Sequence, residues 1–127
     1  MTMLGAVVGL LLLACGAQAA ECNILFNCHR GEAVIDGALY PIVCGAQTGT
    51  EIKNGGTIGS LIHASGPARR GLVAPGTPMI TTQPSLCYDC FIHVGYGARS
   101  LGCIGITAAG FAAMKQCYGS GFAIIAK

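Results

Sequence analysis

Tryptophan is absent from this chain of 127 residues, aromatic side chains make up 6% of it and charged ones only 9%. Seven basic and five acidic groups leave a net charge of +2, and Arg69-Arg70 is the single adjacent basic pair. That balance offers no positive stripe for a nucleic acid or an anionic membrane surface. The sequence also lacks a phosphate-binding glycine loop, paired catalytic carboxylates, heptads and internal repeats. With so little charge, glycine, threonine and serine must carry much of the solvated surface.

Lysine and arginine are missing ahead of Arg30, although an apolar run, "MLGAVVGLLLLACGAQAA", occupies the front of the chain. The run spans roughly 17 apolar residues, where a membrane-crossing helix needs about 20. It ends in Ala17-Gln18-Ala19-Ala20, the small-x-small pattern accepted by signal peptidases. We therefore expect residues 1–20 to be a cleaved signal peptide and 21–127 to be one mature domain. An uncleaved anchor, or a lipoprotein acylated at Cys15, are the alternatives; Leu13 stands where lipoprotein sites carry a smaller residue. All three export the domain, which predicts a periplasmic or secreted protein with no membrane contact beyond this segment.

Cysteine is plentiful. Cys22, Cys28, Cys44, Cys87, Cys90, Cys103 and Cys117 remain after the leader, and seven is an odd number. In an oxidising compartment at least one of them must stay reduced or join another chain. Disulfides typically contribute about 2–4 kcal/mol each, a large share of the stability of so small a domain. The pairing is not readable from sequence.

The remaining pattern is mainly β. "NILFN" (23–27) reads as a strand, and "AVIDGALYPIV" (33–43) as a hairpin around Asp36-Gly37. The stretch 45–60, rich in glycine and threonine, reads as a long loop before a short strand "LIH" (61–63). "GTPMITT" (76–82) can begin a strand if Pro78 sits at its start or on an edge, because proline cannot donate to the ladder. "CFIHV" (90–94) and "GCIGIT" (102–107) are β-prone runs joined by "GYGARSL". Thr107 is a candidate N-cap for a helix over 108–117, with Phe111 and Met114 on its core face and Gly119 ending it. "FAIIAK" (122–127) reads as a final strand. The expected fold is thus a small, mainly β, disulfide-stapled domain with one helix after the strand that follows Cys103.

His93 and Cys103 carry the chemistry. A cysteine attacks as its thiolate, and a nearby imidazole can take the proton. If the two runs form an antiparallel pair, their loop-proximal ends meet and the two side chains face each other. Backbone N–H groups near Gly102 and Cys103 would then form an oxyanion hole. Spacing alone favours the other reading, with Cys103 as half of a disulfide and His93 as an ordinary strand histidine. C-x-x-C-x-x-H over 87–93 suggests zinc or a redox pair, but a second C-x-x-C is missing and a zinc site needs further ligands. We expect no metal and no cofactor. His29 and His63 read as surface or hydrogen-bonded structural residues.

The block from His93 through Ile104, "HVGYGARSLGCI", resembles the active-site signature of L,D-transpeptidases, in which a histidine precedes Ser/Thr-x-Gly-Cys. The short His-to-Cys spacing is most similar to the branch that includes type VI secretion L,D-transpeptidase effectors. "VAPGTPMIT" (73–81) and "VIDGALYPIVCGAQTG" (34–49) resemble that family's upstream strand and opening hairpin, more loosely. The resemblance implies a small β catalytic domain over 21–127, Cys103 as nucleophile and His93 as its base. Ser100 and Gly102 would shape the loop and donate backbone hydrogen bonds. Leu101 stands where the larger family usually has histidine and Gly105 where it often has arginine, so carboxylate recognition is unassigned; Arg99 is the candidate. The implied substrate is the peptidoglycan stem peptide, with a cognate immunity protein as a further partner if the protein is a toxin. Setting Cys103 aside leaves Cys22, Cys28, Cys44, Cys87, Cys90 and Cys117, an even set able to pair fully. The competing expectation is a disulfide-rich secreted module without activity, binding or inhibiting at the wall.

Overall fold

The computed structural model describes residues 21–45, 55–64, 75–86, 90–95 and 104–126. Eight strands close into a barrel: β1 (Ile24–Asn27), β2 (Glu32–Ile35), β3 (Ala38–Cys44), β4 (Gly55–His63), β5 (Pro78–Gln83), β6 (Ile92–Val94), β7 (Ile104–Ile106) and β8 (Gly121–Ile125). Around the barrel they run β1-β2-β3-β7-β6-β5-β4-β8. Neighbours are antiparallel except at β1/β8 and β6/β7, which are parallel. One helix, α1 (Ala108–Met114), links β7 to β8 and packs against β6 and β2. Among the described residues no helix is long and apolar enough to cross a membrane.

Period-two alternation builds the inside. Ile24 and Phe26 of β1, Ala33 and Ile35 of β2, and Phe122 and Ile124 of β8 point inward, with exposed or half-buried residues between them. Phe26 is fully buried and meets Phe122 edge-to-face, with ring centroids 5.2 Å apart. The β2–β3 hairpin turns where expected. Asp36 (φ 49°) and Gly37 (φ 86°) both take the left-handed conformation of a tight two-residue turn, and Asp36 Oδ1 accepts from the N–H of Asn23 at 2.8 Å. Pro78 opens β5, where its missing N–H costs no ladder bond. Thr107 caps α1, its hydroxyl accepting from Gly110 N–H at 3.0 Å.

Two expectations require correction. The segment read as a loop up to residue 60 enters β4 at Gly55. A Cβ on Gly55 would collide with the backbone of Phe122, and one on Gly56 with the carbonyl of Gln83. Glycine is used here so that neighbouring backbones can approach, which local propensity cannot anticipate. The helix is also shorter than expected. After Met114 the chain tightens into turns, with Gln116 N–H on Ala113 O and Cys117 N–H on Met114 O, and Cys117 is held by a disulfide.

Candidate functional site

Two bridges pair Cys22 with Cys117 and Cys28 with Cys44. The first ties the chain ahead of β1 to the segment after α1, and the second ties the end of β1 to the end of β3. Cys90 is disulfide-bonded as well, so it is no thiolate ligand for a metal. Bridges of this kind persist in an oxidising, non-cytoplasmic environment. His29 and His63 are exposed, as expected.

His93 lies at the centre of β6 and is only 6% exposed. Its strand neighbour Ile92 faces the barrel core, so the imidazole belongs to the outer face. The registers place it in one continuous rung: Val43 of β3 opposite Gly105 of β7, Gly105 opposite His93, and His93 opposite Met79 of β5. Met79, His93 and Gly105 are all buried. The barrel wall is therefore covered on both sides here, unlike the wall at β1 and β2.

The ring's hydrogen bonding selects its tautomer. Nδ1 lies 3.2 Å from the carbonyl oxygen of Val94. A carbonyl only accepts, so Nδ1 donates, and in the neutral ring Nε2 keeps the lone pair. Among the described residues nothing hydrogen-bonds Nε2. The result is a buried imidazole anchored through one nitrogen.

The expected antiparallel pairing of the two motif strands is overturned. β6 and β7 run parallel, with Ile92 opposite Ile104 and Ile104 N–H donating to Phe91 O at 3.1 Å. Parallel neighbours generally need a longer connection. Here both strands have only three residues, so the intervening segment 95–103 has ample reach to return to the start of the second. The residue directly across from His93 is accordingly Gly105. Arg99, Ser100, Gly102, Cys103 and Cys87 lie outside the described residues.

Met79 and Val43 were not singled out by sequence reasoning. No local signal marks them, because they join His93 only through the register of the closed barrel. No family model, no curated protein and no solved structure matches this chain.

Proposed function

We propose that the protein is an exported cysteine acyltransferase or hydrolase acting on peptidoglycan stem peptides, with Cys103 as nucleophile and His93 as base. The observation that carries the reading is the burial of His93 on the outer face of the barrel with its Nδ1 held 3.2 Å from Val94 O. The sequence block His93–Ile104 supplies the cysteine, and the disulfides fit an extracytoplasmic home, periplasmic or secreted.

In the proposed reaction Nε2 of His93 takes the thiol proton, and the sulfur attacks the carbonyl carbon of an L,D-linked peptide bond. The C–N bond breaks, the terminal D-amino acid leaves with the proton returned by His93, and a thioester remains on Cys103. Water, a second stem peptide or a free D-amino acid then attacks the thioester while His93 takes its proton and the thiol is regenerated. The acceptor decides between trimming, cross-linking and exchange. Incubating the mature domain with muropeptides tests this: we expect released D-amino acid or a transfer product from wild type and none from Cys103→Ala. No product from wild type, or equal product from the variant, overturns the reading.

A second reading, a disulfide-stapled wall-binding or inhibitory module, is favoured by the use of Cys22, Cys28, Cys44, Cys90 and Cys117 as half-cystines. Peptide mapping under non-reducing conditions separates the two. A free thiol at Cys103 fits the enzyme, and a bridge at Cys103 fits the module.

A further inference from the structure

The carbonyl that holds the His93 ring belongs to a peptide unit fixed from its other side. Gly95 N–H donates to Ile106 O of β7 at 2.9 Å. In a trans peptide the N–H and the preceding C=O point in opposite directions, so Val94 O is aimed away from β7 and towards β5. The β5–β6 register pairs Ile80 with Ile92 and Met79 with His93. Its next step sets Pro78 opposite Val94. Hydrogen-bonded and non-hydrogen-bonded pairs alternate along an antiparallel ladder. Because the Val94 carbonyl faces β5, this pair falls at a hydrogen-bonded position, where an ordinary residue 78 would direct its N–H at Val94 O. Proline has no N–H to direct. As the first residue of β5 it interrupts no run of ladder bonds, and its effect falls on that one carbonyl.

Val94 O instead meets His93 Nδ1 at 3.2 Å. A carbonyl can accept twice, but a ladder bond would draw it into the plane of the sheet, and the imidazole stands out of that plane on the outer face. We propose that Pro78 is a positioning residue for His93: by withholding a ladder N–H it reserves the Val94 carbonyl for Nδ1, and so fixes the tautomer and orientation of the ring. The catalytic meaning of this inference rests on the proposed function, in which Nε2 takes the thiol proton, and deepens it.

The test reads the tautomer directly, by long-range proton–nitrogen NMR of histidine-labelled protein at alkaline pH, where a histidine ring is neutral and its two nitrogens differ. Wild type should hold His93 mainly as the Nδ1–H form. In Pro78→Ala a new N–H faces Val94 O. The ratio of Nδ1–H to Nε2–H should then fall about fivefold, the worth of one hydrogen bond. The amide introduced at position 78 should be protected from hydrogen exchange. Pro41→Ala, which changes a proline of β3 paired with Glu32, should leave the ratio as it is. On muropeptides, kcat of Pro78→Ala should fall about fivefold with KM unchanged, as when an interaction made only in the transition state is weakened. A wild type that is mainly Nε2–H overturns the proposal without any variant. So does an unchanged ratio in Pro78→Ala, or a shifted ratio with unchanged kcat. A Pro78→Ala protein that fails to fold overturns it as well, by assigning the proline to the fold. An inactive wild type sinks the stem-peptide reading alone, because the tautomer ratio needs no substrate.

Discussion

Strands β1, β2 and β8 differ from β5, β6 and β7 in how many of their faces are covered. The first group alternates buried and open residues along its length, and its outer side meets water. Leu39 on the adjoining β3 is 62% exposed there. The Cys22–Cys117 and Cys28–Cys44 bridges fasten this side of the barrel, ahead of β1 and at its end. In the second group the alternation disappears: Met79 and Ile80 are both buried, as are Ile92 and His93, and all of Ile104–Ile106. Strands covered on both faces can hold a polar group away from water, and this is where the His93 imidazole sits. One side of the molecule is thus held by covalent ties and single-faced packing, and the other secludes the His93 imidazole to which the proposed function assigns the proton transfers.

Damage on the two sides should therefore read out differently. The largest effect expected is on His93→Ala, which should slow acylation of Cys103 by up to about 10⁴-fold, or roughly 5 kcal/mol of barrier, while the midpoint of urea unfolding moves little. A large loss of stability would instead make His93 a structural residue. Next, Cys22→Ala/Cys117→Ala should lower unfolding free energy by about 4–5 kcal/mol, since the bridged residues are 95 positions apart. The Cys28–Cys44 bridge spans a separation of only 16, so Cys28→Ala/Cys44→Ala should cost less, about 3 kcal/mol. Denaturant titration of both pairs ranks them, and a reversed order would show that chain entropy does not decide their relative worth. The smallest expected effect is that of Thr107→Ala, about 1 kcal/mol from loss of the cap on Gly110 N–H. Because α1 follows β7 directly, any change in catalytic rate from this variant would show coupling between the helix and the site.

Legibility in the sequence follows the same division. The hairpin was readable because Asp36-Gly37 is a local turn signal, and α1 because Thr107 and the Phe111/Met114 spacing are local too. β4 escaped because its glycines answer to the backbones of Phe122 and Gln83, contacts that no window of sequence contains. Parallel pairing of β6 and β7 escaped for a related reason. Runs only three residues long carry no record of direction, and barrel closure sets it. At the site, His93 could be named from its motif, and its partners Met79, Val43 and the carbonyl of Val94 could not. Register is a property of the whole barrel, whereas turn and cap chemistry belong to a few consecutive residues.

Closure of the barrel also limits how a peptide can be recognised. Every strand of the ring has a hydrogen-bonded neighbour on each side. Among the described residues no strand lacks a ladder partner on either side, so no whole strand edge is open to the strand addition used by many peptide-binding domains. Under the proposed function, a peptide substrate would then be read chiefly by side chains and loops. Its sequence preferences should then depend on a few discrete contacts, and closure of the ring leaves little open edge for pairing between copies of the folded protein.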